Sequence, residues 1–245
     1  VTVYYHDEFA TLHHGDCREI LATIERGSVG LLATDPPYGI GYQGMRSKRG
    51  PAHDHGPIVG DDGSLDVAPI IEAAARTLAA GRHVYVFGST AESLAAVECL
   101  TAAVDLIWDK GSPGMGDLAA LYGPSTEPIA FATYRPSRAN REQGRGRLSS
   151  RLRRGSVLRV PRMQSKQNDA HPTGKPVALM RQIIESSSML GDVVLDPFAG
   201  SGSTLVAATL AGRRSIGIEI EERYCERAAE RLRSARTLRT AMEAA

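Results

Sequence analysis

Residues 193–204 read Val193-Val194-Leu195-Asp196-Pro197-Phe198-Ala199-Gly200-Ser201-Gly202-Ser203-Thr204, and their reading decides the fold. A short apolar run predicts a buried strand, the two glycines a turn, and Thr204 to Ala211 a helix. A second strand, Ser215 to Glu219, follows. Glycines at 200 and 202 let the backbone approach a ligand closely before the helix begins. Glu219, at the tip of the next strand, is placed to accept from both hydroxyls of a ribose. A phosphate loop is disfavoured because no Lys-Ser/Thr follows the glycines. The dinucleotide fingerprint is incomplete, with Thr204 and Leu205 where a third glycine belongs. The glycines alone fit a dinucleotide fold or an ordinary tight strand–helix turn. Asp196, ahead of the loop, would repel a pyrophosphate and suits a ligand with a cationic amino-acid end, which points to S-adenosylmethionine rather than NAD.

Far upstream, Val29 to Thr34 is another apolar run that reads as a buried strand, and it delivers Asp35-Pro36-Pro37-Tyr38. An acid at the carboxyl end of a buried strand lies where open α/β sheets put their ligand crevice. Two successive prolines fix φ and remove two N–H donors, so the Pro36 carbonyl can face a substrate. That carbonyl, the Asp35 carboxylate and the flat Tyr38 ring suit a planar aromatic amine: two acceptors for an NH2 group and one face to stack on.

The remaining pattern alternates strands with helices, which predicts a mainly parallel sheet with right-handed crossovers. Asp16 precedes a helical run from Arg18 to Ile24 and reads as its N-cap. Leu65 to Ala80 reads as a helix stopped by Gly81, followed by a strand from His83 to Gly88. Glu92 to Ala103 reads as a helix, and residues 105–109 and 127–134 as strands. Pro176 opens a helix through Met189, and a charged helix from Glu222 to about Arg239 closes the chain. Between Gln43 and Asp62 a glycine- and proline-rich loop carries Arg46, Lys48 and Arg49, the composition of a basic lid. His53 and His55 in that loop have no third ligand nearby, so no metal site is assigned.

At 245 residues, with 42% hydrophobic and 23% charged side chains, the chain has the size of one sizeable α/β domain. No run approaches the roughly 18 apolar residues of a membrane span, and the first residues lack the basic-then-apolar order of a secretory signal. Cys17, Cys99 and Cys225 lie too far apart for a zinc knuckle or a disulfide framework, which fits a reducing cytoplasm. The net charge of +1 is unevenly spread. Residues 135–166 hold ten arginines and one lysine against one acid, Glu142, a local net of +10, so the remainder carries −9. A basic segment on an acidic body is what a polyanion-binding protein needs, although a solvated arginine-rich loop has the same composition.

Asp-Pro-Pro-Tyr at 35–38, His-Pro-Thr-Gly-Lys-Pro at 171–176 and Asp-Pro-Phe-Ala-Gly-Ser-Gly-Ser-Thr at 196–204, in this order, resemble the amino-methylating DNA methyltransferases of the permuted β group. Lesser matches are residues 12–17, Ile107-Trp108-Asp109-Lys110 and the helix around Arg223-Tyr224-Cys225. The resemblance implies a class I methyltransferase fold: a Rossmann-like α/β arrangement with a mostly parallel sheet flanked by helices and a circularly permuted motif order. It implies one catalytic domain built from residues 1–134 and 167–245, with residues 135–166 as a small basic target-recognition insertion.

It also implies roles: Asp35, Pro36, Pro37 and Tyr38 catalytic, and Asp16, Asp35, Lys175, Asp196, Phe198, Gly200, Gly202, Thr204 and Glu219 lining an S-adenosylmethionine pocket. DNA would meet Arg46, Lys48, Arg49, Arg145, Arg147, Arg151, Arg153 and Arg154. Asp rather than Ser before Pro-Pro-Tyr favours adenine N6 as the target, with cytosine N4 as the alternative. A dinucleotide-dependent oxidoreductase, the reading from another class, leaves residues 35–38 and 171–176 without a purpose. Double-stranded DNA is the expected partner, with a homodimer and a restriction endonuclease as further candidates and no membrane.

Overall fold

The computed structural model describes residues 2–38, 59–60, 62–112, 122–136, 154–162 and 174–243. In chain order its elements are β1 (Thr2–His6), β2 (Ala10–His14), α1 (Cys17–Leu21), β3 (Val29–Thr34), α2 (Ala68–Ala75), β4 (Leu78–Phe87), α3 (Ala91–Ala95) and β5 (Leu100–Asp109). There follow β6 (Thr126–Tyr134), β7 (Val157–Arg159), α4 (Val177–Ser187), β8 (Val193–Asp196), α5 (Ser203–Leu210), β9 (Arg214–Glu219) and α6 (Glu222–Glu243).

Every residue of β3 is buried. Its alternate side chains feed two separate cores, which is why the run is apolar throughout rather than alternating. Leu32 packs with Ile20, Ile71, Val84 and Leu94 beneath α1, α2 and α3, while Leu31 and Ala33 pack with Tyr85, Phe87, Ile183 and Ala207 beneath α4 and α5. A third cluster joins Leu12, Leu205, Ala228 and Leu232 between β2, α5 and α6.

The described strands form one sheet in the order β1-β2-β9-β8-β3-β4-β6-β5-β7. β2–β9, β9–β8, β8–β3, β3–β4 and β5–β7 pair parallel; β1–β2, β4–β6 and β6–β5 pair antiparallel. The mostly parallel, helix-flanked sheet agrees with the sequence reading. From the adjacent strands β3 and β8 the chain crosses over in opposite directions, to β4 on one side and β9 on the other. That reversal is the topological switch point at which open sheets bind ligands.

Three expectations need correction. The helix expected over residues 65–80 is confined to Ala68–Ala75, because Leu78 is buried in the core as the first residue of β4, opposite Val29. The Thr77 hydroxyl donates to the Ala74 carbonyl (2.7 Å) and the Thr77 carbonyl accepts from Val29 N–H (3.1 Å), so the turn leads into the sheet. Gly81, at φ 82°, lies in the β4 bulge rather than at a helix end. The helix expected over 92–103 stops at Ala95, since Leu100 and Thr101 pair with Tyr134 and Thr133. Sheet pairing overrides the helix propensity of an alanine-rich run. Within the stretch read as an insertion, Leu158 and Val160 are core: β7 adds to β5, and Trp108 Nε1 donates to the Val160 carbonyl (2.7 Å). Among the described residues, no helix is long and apolar enough to cross a membrane.

Candidate active site

Parallel pairing brings the carboxyl ends of β2, β9, β8, β3 and β4 to one edge, carrying His14, Glu219, Asp196, Thr34 with Asp35, and Phe87. With strands spaced about 4.8 Å apart, β9 and β3 stand roughly 10 Å from each other on either side of β8. Asp35 and Glu219 therefore stand at the same edge of the sheet, on either side of Asp196. The Thr34 hydroxyl donates to Asp196 Oδ1 (2.7 Å), tying the residue before Asp35 to the acid before the glycine turn.

Asp196 is buried and also accepts from Phe198 N–H (3.1 Å) and the Thr204 hydroxyl. Burial pushes its pKa up to about 6; the three donors oppose the shift and the charge of Asp35 adds to it. Glu219 accepts from Gly200 N–H and Glu221 N–H, both at 2.8 Å, and burial pushes its pKa up to about 7 against those donors. Among the described residues no lysine or arginine forms an ion pair with either acid. Two buried carboxylates held only by neutral donors among the described residues can still accept from a cation or from hydroxyl groups.

Gly202, at φ 80°, caps α5, and a Cβ there would stand 2.9 Å from Cβ of Ala228. Conformation and close helix packing both demand glycine at that position. Beneath the turn Arg231 donates to the Ser201 carbonyl and to the hydroxyls of Ser201 (3.0 Å) and Ser203 (3.3 Å). Asp16 caps α1, accepting from Arg18 N–H (2.8 Å), and is also paired with the Arg18 guanidinium, which holds its carboxyl below the usual range. Its position one residue after Gly15, whose N–H donates to the Glu219 carbonyl (2.9 Å), puts it beside the β9 tip.

Across the switch point Asp35 belongs to a charge cluster. Lys175 Nζ lies 2.6 Å from Asp35 Oδ2 and 3.1 Å from Glu127 Oε1, and Lys110 Nζ lies 3.0 Å from Glu127 Oε2. The Tyr38 hydroxyl lies between Asp35 Oδ1 and Glu127 Oε1, the latter at 3.0 Å. Its ring lies over Gly88, where any Cβ would collide with the ring. Pro36 is buried and Pro37 half-buried. Burial raises the Asp35 pKa, and Glu127 adds to this while Lys175 works against it. Burial also disfavours the Lys175 ammonium, but Asp35 and Glu127 outweigh it and lift its pKa above the lysine range. For Glu127 burial is outweighed by Lys175 and Lys110, leaving a carboxylate below its usual range. Burial and the two carboxylates keep the Tyr38 hydroxyl protonated.

The sequence reading expects Lys175 at the cofactor pocket; in the structure its ammonium pairs with Asp35, a residue of that same expected set, and with Glu127. Glu127 was missed, and so was Gly88. Each has a signal only in hindsight: an acid opening the apolar strand β6, and a glycine directly after the apolar strand β4. Arg154 donates to the Ser186 hydroxyl of α4 (2.6 Å). Arg46, Lys48, Arg49, Arg145, Arg147, Arg151 and Arg153 lie outside the described residues, as do His53 and His55.

An acid-lined switch point beneath a glycine turn fits a nucleotide-cofactor enzyme, and the chain belongs to the DNA methylase family, whose profile matches residues 29–230. It is 30% identical over 256 residues to the DNA adenine methyltransferase YhdJ of Escherichia coli (strain K12), an alignment covering 92% of this chain and 83% of that protein. The fold matches TTHA0409 of Thermus thermophilus, crystallised with S-adenosyl-L-methionine, with a TM-score of 0.61, 25% identity and coverage of 93% and 96% of the two chains. It also matches the cytosine-N4-specific PvuII DNA methyltransferase, with a TM-score of 0.67, 16% identity and coverage of 94% and 88%.

Proposed function

We propose that this DNA methylase moves a methyl group from S-adenosylmethionine to the N6 amine of adenine in DNA. The observation that carries the reading is the Thr34–Asp196 hydrogen bond of 2.7 Å, which sets the Asp35 turn and the glycine turn on one crevice. Asp196 and Glu219, buried without ion-pair partners among the described residues, fit the cofactor: Asp196 its cationic end, Glu219 its ribose hydroxyls. Phe198, Gly200, Gly202 and Thr204 would complete that wall, with Asp16 at the adenine end. When bound, S-adenosylmethionine supplies an electrophilic methyl on its sulfonium.

An exocyclic amine on a heteroaromatic ring is a poor nucleophile because its lone pair is delocalised into the ring. Asp35 and the Pro36 carbonyl accept its two hydrogens, favour a more tetrahedral nitrogen and stabilise positive charge as the new bond forms. The amine cannot be reached inside a duplex, so the base must leave the stack, and Tyr38, 40% exposed, offers it a ring. No covalent enzyme intermediate is needed. Arginines of the basic segment, with Arg46, Lys48 and Arg49, would hold the phosphates. A paired restriction endonuclease and a homodimer belong to the same reading, as does a cytoplasmic place of work.

Incubating the protein with S-adenosylmethionine and mixed-sequence DNA, then analysing nucleosides by mass spectrometry, should yield N6-methyladenine. N4-methylcytosine would move the target to cytosine, whose amine fits the same acceptors. Asp35→Ala should bind S-adenosylmethionine within about twofold of wild type while losing at least ~1000-fold in kcat. Retained transfer would remove Asp35 from the mechanism.

A further inference from the structure

Both carboxylate oxygens of Asp35 are already engaged, Oδ2 by the Lys175 ammonium at 2.6 Å and Oδ1 by the Tyr38 hydroxyl. An amine arriving at Asp35 with two hydrogens to donate must compete with both. An ammonium this close also opposes the positive charge that the amine nitrogen gains as it is methylated. Lys175 cannot simply be released. The Lys175 side chain is only 8% exposed, and a buried cation left without an anion is strongly disfavoured.

Glu127 resolves that conflict. Its Oε1 already stands 3.1 Å from Lys175 Nζ and 3.0 Å from the Tyr38 hydroxyl, the same two donors that hold Asp35. Its Oε2 is pinned by Lys110 at 3.0 Å, and Lys110 in turn lies 5.1 Å from the centre of the Trp108 ring. The Glu127 side chain is 13% exposed and that of Asp35 27%, so Asp35 is the carboxylate nearer the open crevice. One acid faces the substrate and the other stands behind it, sharing its donors.

We propose that Glu127 is a positioning residue for methyl transfer: it receives Lys175 and the Tyr38 hydroxyl when the target amine takes over Asp35. The inference rests on the reading of Asp35 as the acceptor for that amine. Lys175 then serves in the resting enzyme as a stand-in for the amine, opposing the protonation that burial favours and holding Asp35 in place. The Tyr38 ring then meets the base while its hydroxyl stays on Glu127. Lys110 fixes where the receiving carboxylate sits.

The test is steady-state methylation of DNA by the full chain at saturating S-adenosylmethionine, with cofactor affinity by calorimetry and Tm measured alongside. Glu127→Gln keeps the shape and removes the charge that receives Lys175, so kcat should fall about 30-fold while the cofactor Kd stays within about twofold. Glu127→Asp should recover part of kcat, and Lys110→Met should lower the same parameter by a smaller factor. Because Glu127 acts through Lys175, the double variant Glu127→Gln/Lys175→Met should be no slower than Lys175→Met alone. A merely structural role would lower Tm, slow both backgrounds by the same factor and gain nothing from aspartate. Losses that multiply in the double variant, or wild-type kcat in Glu127→Gln, overturn the proposal. The wild-type arm separates the two readings: no transfer to a DNA amine defeats the function and this inference together, whereas an active wild type with an unaffected Glu127→Gln defeats the inference alone.

Discussion

At Glu219 burial and hydrogen bonding act against each other on one carboxylate. Two backbone amides favour the ion, yet burial prevails and its pKa stands at about 7. An acid whose pKa is raised on folding adds stability below its unfolded value, near 4.5, and that contribution disappears as pH rises through about 7. Above neutrality this side chain alone thus costs the fold on the order of 3 kcal/mol, at about 1.4 kcal/mol per pKa unit. On the proposed reading ribose hydroxyls would donate to the ionised form, so binding and ionisation would favour each other. Cofactor affinity by calorimetry should rise roughly tenfold between pH 6 and pH 8, and Glu219→Gln should flatten most of that rise. A wild-type affinity independent of pH would show that Glu219 does not meet the ribose. Asp196, with its pKa at about 6, contributes in the same direction at lower pH. None of this was legible in the sequence, which shows an acid at a strand tip but not the depth at which it lies.

Elements were legible where both faces of a segment share one environment. β3 up to Ala33 and β8 up to Leu195 carry no polar side chain because helices cover both sides, and the turns after them announce themselves with Pro-Pro and Gly-x-Gly. Illegible were the places where local propensity and distant pairing disagree. Residues 78–80 and 100–103 carry helix-favouring alanine and leucine but belong to β4 and β5, because Val29 and Tyr134 wait across the sheet. The same holds for β7, three residues long and set in arginine-rich sequence, whose only apolar signal is Val157, Leu158 and Val160. If β7 is structural, Leu158→Ala should cost about 2–3 kcal/mol in denaturant unfolding, as a core truncation does. An exposed insertion would lose well under ~1 kcal/mol at that position. Because Asp109 itself pairs with Arg159 of β7 and Lys110 follows it, the loss should also reach the Lys110–Glu127 pair.

The molecule as a whole divides its labour by charge and by position along the sheet. β6 ends at Tyr134 beside Leu100, while β7 begins at Val157 beside Ile107, seven residues further along β5 and on its other side. At about 3.3 Å per residue the basic segment must therefore span more than roughly 20 Å between its two ends. It returns on the strand that runs toward the active edge, where Asp109 and Lys110 stand. The segment cannot be deleted without pulling β7 from the core, but its charge can be removed with its length kept. Replacing Arg138, Arg141, Arg145, Arg147, Arg151 and Arg153 with serine takes six positive charges from a region of net +10 and leaves Leu158 and Val160 in place. Every phosphate that is no longer neutralised should make the slope of log K against log salt shallower by about 0.9, so the six substitutions together predict a change of about 5. DNA affinity near physiological salt should weaken by at least ~100-fold. S-adenosylmethionine affinity should not change, because the glycine turn follows β8, across the sheet from β7. An unchanged salt slope in the serine variant would assign DNA binding to another surface, and a parallel loss of cofactor affinity would mean that these arginines support the catalytic core.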